Sequence, residues 1–251
     1  MALEEQEARE LAFWRREVAD DAPAGELRNL LLKLGEAHWL LDRLERYEPL
    51  FAGAGTILEL GAGEGWGSAM VKRLFPQAEV VASDLSPEAI ARAGRWADVV
   101  GAAPDRTLAC PGYDVPLEDG SVGLIFAFQA AHHFGAHDRT LAEAHRVLRP
   151  GGTCLYLHEP SCPPSLHRVA RARVNRKRPE VPEDVLVHSR LLELGRAAGF
   201  DASVVFDADP AHRRPGETIY YAALQRVPFL WARLPCTADY RFDKPLTGGN
   251  A

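Results

Sequence analysis

The stretch Thr56-Ile57-Leu58-Glu59-Leu60-Gly61-Ala62-Gly63-Glu64-Gly65-Trp66-Gly67 decides the fold. Its first five residues are an apolar run of strand length. The glycines that follow at alternate positions let the backbone turn sharply and approach a ligand closely. A helical pattern from about residue 65 to 75 stops at Pro76, and EVVASD (79–84) predicts a second buried strand. Ser86-Pro87-Glu88 opens another helix, because serine can cap it, proline suits the first turn and the acid suits its positive end. Strand, glycine turn, helix and strand within about 30 residues make a βαβ unit.

The alternation continues downstream. VGLIFAFQ (122–129), TCLYLHE (153–159), SVVFDA (203–208) and TIYYAAL (218–224) are predicted strands. Helices are predicted over 138–148 and 191–198, the second closed by Gly199. Upstream, residues 3–18 and 26–47 read as helices separated by Asp21, Pro23 and Gly25, with Leu27, Leu30, Leu31, Leu34, Leu41 and Leu44 on one apolar face. The expected fold is α/β, a Rossmann-like, doubly wound, seven-stranded and mostly parallel sheet with an N-terminal helical lid. Residues 1–50 form the lid and part of the acceptor pocket. Residues 51–251 form the sheet domain, with a basic, proline-rich insertion at about 160–183.

Composition narrows the function. With 251 residues, 47% hydrophobic and 25% charged, the chain can bury a full core and is not disordered. A net charge of −6 disfavours a globally basic nucleic-acid binder. Cys110, Cys154, Cys162 and Cys236 lack CxxC spacing, which argues against a disulfide framework or a zinc module. The acidic opening MALEEQEARE has no signal-peptide character, and no apolar run is long enough to span a membrane. A soluble, reduced, cytoplasmic chain is expected, with homodimerisation left open.

The turn itself carries chemistry. Its spacing is G-x-G-x-G, with Trp66 where a dinucleotide fingerprint needs glycine. Glu59 and Glu64 flank it. Carboxylates beside a diphosphate would repel, whereas beside an ammonium and a sulfonium they would attract. Asp84, 19 residues after Gly65, ends the second strand where an acid can accept both ribose hydroxyls.

On these residues the chain resembles the class I S-adenosylmethionine-dependent methyltransferases. LELGAGEG (58–65) matches the family's first motif and VVASDLSPEAI (80–90) its second. DVPLEDGSVGLIFAFQAAHHF (114–134), LAEAHRVLRPGG (141–152) and LLELGRAAGF (191–200) extend the similarity over about residues 56–205. The resemblance implies S-adenosylmethionine as cofactor and S-adenosylhomocysteine as product. It implies that Gly61, Ala62 and Gly63 approach the methionine part, that Glu59 organises that pocket, that Asp84 binds ribose and that Leu85 packs on adenine. Gly112 and Tyr113 stand where the family's usual aspartate would contact the adenine amino group, and Asp114 is an alternative. Val122-Gly123 replaces the family's Phe-Asp at the start of the fourth strand.

The acceptor side has several candidates. His132 and His133 follow the fourth strand and are candidate bases, since histidine titrates near neutrality. His158-Glu159 could pair a base with its orienting carboxylate. Phe128 and Trp66 are candidate pocket walls, able to stabilise a sulfonium by cation–π attraction. The basic run RVARARVNRKR (168–178) is either an anion clamp or a solvated helix face. No metal site is expected from histidine and cysteine spacing. The resulting expectation is methyl transfer to a small or medium-sized acceptor, anionic or neutral, with O-methylation of a sugar, glycolipid or natural-product hydroxyl favoured. N- or C-methylation, a non-catalytic cofactor-binding scaffold and a nicotinamide-dependent oxidoreductase stand as alternatives. No nucleic-acid partner is expected.

Overall fold

The computed structural model describes residues 3–19, 23–176 and 183–246. Two long helices come first, α1 (Leu3–Ala19) and α2 (Pro23–Arg46), followed by the short α3 (Glu48–Ala52). The βαβ unit is β1 (Thr56–Leu60), α4 (Trp66–Leu74) and β2 (Glu79–Asp84). Then come α5 (Pro87–Ile90), α6 (Trp96–Val100), β3 (Arg106–Ala109) and β4 (Val122–Phe128). The second half runs α7 (His137–Val147), β5 (Leu148–Cys162), α8 (His167–Asn175), β6 (Leu186–Val187), α9 (His188–Ala197), β7 (Asp201–Asp207), α10 (Pro215–Gln225) and β8 (Cys236–Asp243).

Among the described residues the sheet is eight-stranded in the order β3-β2-β1-β4-β5-β8-β7, with β6 pairing β5 off that path. β1 to β5 are parallel, and β8 inserts antiparallel between β5 and β7. β4 is buried along its whole length, as a strand covered on both faces must be. One face carries Leu58, Ile125, Tyr156 and Phe242 under α7 and α9. The other carries Ile57, Phe126 and Leu155 with Phe51, Leu40 and Leu44 from α3 and α2. Gly123 answers for the departure at the start of β4: a Cβ there would lie 1.9 Å from the Ala54 carbonyl oxygen. No side chain fits beneath that crossing.

Two sequence expectations are corrected. Residues 218–224 belong to helix α10, not to a strand. Pro215 at the first turn and Glu217 near the positive end start a helix, and Leu224 is buried while Ile219 is exposed. The last strand is instead β8, whose central position buries Ala238, Tyr240 and Phe242 completely. The leucine stripe of α2 also divides. Leu44 is buried, whereas Leu27, Leu31, Leu34 and Leu41 are exposed.

α2 is tied down at its far end by charge. Buried Arg43 donates to Asp207 on β7 and, through Nε at 3.2 Å, to Asp239 on β8. Arg46 reaches Asp239 at 3.1 Å, and the same carboxylate accepts the His158 backbone N–H at 2.8 Å. This network links α2 to the end of β5, at the carboxyl edge of the parallel strands. No described helix is long and apolar enough to cross a membrane.

Candidate active site

The glycine turn leaves β1 in a left-handed backbone. Gly61 has φ 71° and Gly63 φ 54°, values that L side chains rarely adopt. A Cβ on Gly61 would lie 2.8 Å from the Ala130 side chain, so the turn abuts the loop after β4 directly. A Cβ on Gly63 would lie 3.1 Å from the Trp14 ring. Helix α1 therefore lies across the cradle.

Asp84 locks the turn. One carboxylate oxygen accepts the Gly63 N–H at 2.7 Å and the other accepts the Ser86 N–H at 2.8 Å. Ser86 in turn caps α5, its hydroxyl accepting from Ala89 N–H at 3.1 Å. Burial pushes the Asp84 pKa up, and these two N–H groups pull it partly back. Leu85 is half-buried beside it.

Glu59 sits behind the turn, fully inside the protein, and accepts from the Ser68 hydroxyl. Its Oε1 lies 2.5 Å from where a Gly67 Cβ would be, so α4 can pass only because residue 67 is glycine. Burial raises its pKa to about 7, against the Ser68 hydrogen bonds that lower it. Glu64 behaves differently from expectation. It turns to Arg95 at 3.1 Å and Arg92 at 3.5 Å, and Asn29 also donates to it. Its charge is answered by guanidinium groups, which leaves Glu59 as the acid of the turn.

Gly112 faces Thr140 and Leu60. Tyr113 donates its hydroxyl to Glu7 of α1 at 2.6 Å and lies under the Arg139 guanidinium at 3.8 Å. Phe128 ends β4 edge-on to Trp66 at 5.7 Å.

At the loop after β4 the structure rearranges the predicted pairs. Glu159 serves His132 and not His158. Its Oε1 accepts the Ala130 and Ala131 N–H groups at 2.9 Å each, and its Oε2 takes His132 N–H at 3.2 Å and His132 Nδ1 at 2.8 Å. Burial disfavours a charged His132 imidazole, but Glu159 outweighs this and raises its pKa. The adjacent His158 has φ 56° and its ring stacks on Trp39 at 4.5 Å. A register shift between Tyr156 and Glu159 breaks the strand alternation and separates the two side chains. Burial, then the positive charge of Arg43 and Arg213, holds the His158 pKa well below the usual histidine value.

His133 lies beside Glu10 of α1, Nδ1 to Oε2 at 3.6 Å, and its carbonyl accepts from Gln6 at 2.9 Å. Burial, then the nearby Asp84 charge, raises the Glu10 pKa to about 7. Glu10 and Trp14 had no sequence signal, since only the docking of α1 brings them here. Gln129 was equally unmarked. It shares a left-handed backbone with His158 at the ends of neighbouring strands, φ 48°. Its Nε2 and His158 Nδ1 are buried with no hydrogen-bond partner among the described residues. In the basic run, Arg168, Arg171, Arg173 and Arg176 are exposed on and just after α8. Lys177, Arg178, Pro179 and Pro182 lie outside the described residues.

The chain is similar to known methyltransferases in sequence and in fold. Residues 58–156 match the family described as "Methyltransferase domain". A demethylmenaquinone methyltransferase of Thermus thermophilus is 32% identical over 143 residues, covering 57% of this chain and 64% of that protein. A malonyl-[acyl-carrier protein] O-methyltransferase of Laribacter hongkongensis is 30% identical over 108 residues, covering 40% of this chain and 36% of that protein. The chain thus spans less than two thirds of either relative. The geranyl diphosphate C-methyltransferase of Streptomyces coelicolor, solved with Mg2+, geranyl diphosphate and S-adenosyl-L-homocysteine, superposes with a TM-score of 0.64 at 15% identity, covering 81% of this chain and 78% of that one. Motifs, sheet order and the methyltransferase-domain match over residues 58–156 together support a class I S-adenosylmethionine-dependent methyltransferase.

Proposed function

We propose that this chain binds S-adenosylmethionine at the Gly61–Gly63 turn and moves its methyl group to a hydroxyl of a small or medium-sized acceptor. The observation that carries the reading is the Asp84 latch. A buried carboxylate holds the left-handed turn through Gly63 N–H and stands at the end of β2, where a ribose is met in doubly wound sheets. Glu59 supports the same ligand. A fully buried carboxyl with a pKa raised to about 7 and, among the described residues, no guanidinium or ammonium bonded to it is relieved by a cationic guest.

S-adenosylmethionine supplies a methyl group already activated on a sulfonium. The protein's task is then to hold the acceptor in line and exclude water. Gly61 and Gly63 bring backbone close, Leu85 and Phe128 give apolar contact, and Gly112 and Tyr113 border the far side. α1, with Glu7 on Tyr113, Gln6 on His133 and Trp14 over Gly63, acts as the lid. His132, oriented by Glu159 through Nδ1, keeps Nε2 for an acceptor proton, with His133 beside it. Gln129 and His158 offer unmatched buried nitrogens that acceptor oxygens would satisfy. The exposed arginines of α8 favour an anionic acceptor.

The test is incubation with methyl-labelled S-adenosylmethionine and a panel of sugars, phenols and hydroxy acids, neutral and anionic, with products identified by mass spectrometry and NMR. Label on oxygen supports the reading. Label only on nitrogen or carbon, or tight cofactor binding without turnover on any acceptor, contradicts it.

A further inference from the structure

The loop after β4 holds more than a base and its orienter. With His132 Nδ1 committed to Glu159 at 2.8 Å, Nε2 is the ring nitrogen that can present a lone pair. His133 follows on the same turn, its ring centroid 4.2 Å from that of His132. A third group arrives from 50 positions further along the chain. Asn175, at the end of α8, grips the main chain of Glu183 on both sides: Glu183 N–H donates to its Oδ1 at 2.9 Å and its Nδ2 donates to the Glu183 carbonyl at 2.8 Å. The next N–H, from Asp184, donates to the His132 carbonyl at 3.1 Å and draws Glu183 to the loop.

As a result, one ligand-type atom each from His132, His133 and Glu183 lie within 4.8 Å of one another. Among the described residues no other group of histidine, cysteine, aspartate and glutamate closes to this extent. Donors around a four-coordinate ion with bonds of about 2.0–2.2 Å sit about 3.4 Å apart, so side-chain rotations of about 1 Å complete the set. A carboxylate behind a histidine, as Glu159 stands behind His132, is the usual support of an imidazole ligand.

We propose that His132, His133 and Glu183 form a site for one divalent transition-metal ion, of the kind that two imidazoles and a carboxylate select. The inference rests on reading this loop as the acceptor side. With the ion bound, it would act as a Lewis acid on an acceptor oxygen, lowering the hydroxyl pKa so that the proton is lost to solvent before the lid closes; His132 Nε2 would then be a ligand, and it would take the acceptor proton only in the metal-free protein.

The experiment uses the full chain after chelator treatment, titrated with ZnCl2 in a calorimeter and with CoCl2 followed by visible absorption. The expected result is one ion per chain, a cobalt d–d band without thiolate charge transfer, and affinity lowered at least about 10- to 100-fold by Glu183→Gln and by His133→Ala, both checked for native circular dichroism. Absence of binding, binding unchanged in both variants, or a thiolate band placing the ion on cysteine would overturn the proposal. S-adenosylhomocysteine is titrated into the same metal-free samples. Its binding without zinc binding removes the metal site and leaves the methyltransferase reading standing, whereas zinc binding without it does the reverse.

Discussion

Replacing Asp84 separates its two duties. The carboxylate satisfies Gly63 N–H at 2.7 Å and Ser86 N–H at 2.8 Å, and it is buried. Neither donor has a ready substitute, since the Ser86 hydroxyl already caps Ala89 and the neighbouring carbonyl of Ser83 is taken by Ala62 N–H. An unsatisfied buried donor costs about 1–3 kcal/mol. Asp84→Ala orphans two, so it should lower stability by about 2–6 kcal/mol, a large share of the ~5–15 kcal/mol typical of a domain. Asp84→Asn keeps one acceptor oxygen and should lose about 1–3 kcal/mol. Because burial already raises the Asp84 pKa, removing the charge offsets part of that loss. Losing the ribose acceptor should weaken S-adenosylhomocysteine by a further ~1–3 kcal/mol, about 5- to 150-fold in Kd. Urea unfolding by circular dichroism gives the first quantity and calorimetry the second, both ordered wild type, Asn, Ala. An Asp84→Ala protein with wild-type midpoint and Kd would refute the latch and the ribose role together. A lowered midpoint with unchanged Kd would leave only the latch.

Binding of the cationic cofactor should ionise Glu59, whose pKa burial has raised to about 7. Affinity then rises with pH up to about 7 and levels off, and calorimetry in buffers of different ionisation enthalpy detects proton release that Glu59→Gln abolishes. Arg43→Met removes the ion-pair partner of buried Asp207 and leaves Asp239 with Arg46 alone, so it should cost about 3–5 kcal/mol by urea titration, with wild-type stability counting against the network. His158 is held neutral by burial, so its folded pKa lies below its unfolded value near 6.5. Its unfolded form therefore binds the extra proton, and stability should fall below about pH 6.5 by up to ~1.4 kcal/mol per unit, a slope reduced in His158→Phe. Charge reversal at Arg171 and Arg173 should raise KM for an anionic acceptor while leaving kcat nearly unchanged. An unaltered KM would return that face to solvent.

The parts legible in the sequence were those in which local pattern and tertiary role coincide. β1, β2 and β4 are buried on both faces and read as continuous apolar runs, while the glycine turn and the Ser86 cap are set by backbone chemistry alone. Misreadings arose where the context was distant. β-branched and aromatic residues in 218–224 suggested a strand, but Pro215 and Glu217 start a helix whose inner face needs only Tyr221 and Leu224. β8 does carry a strand signal, Ala238, Tyr240 and Phe242 alternating with Thr237, Asp239 and Arg241, and its buried Asp239 is explained only by Arg43, which arrives from α2. Glu64 could not be separated from Glu59 by position, since Arg92 and Arg95 reach it only after α5 is passed. His158 and Glu159 adjoin in sequence, yet a left-handed residue sends them to different partners. Glu10, Trp14 and Glu183 join the site only through docking of α1 and the Asn175 clamp.

The central claim is that the turn at Gly63, latched by Asp84, cradles the adenosyl cofactor and presents its sulfur to the His132–His133 loop. A crystal structure with S-adenosylhomocysteine tests this most directly. The account predicts ribose hydroxyls within about 2.5–3.0 Å of the Asp84 carboxylate and a sulfur directed at the histidine loop. Ligand bound elsewhere, or no adenosylhomocysteine bound by crystals that take up NADH, would contradict it.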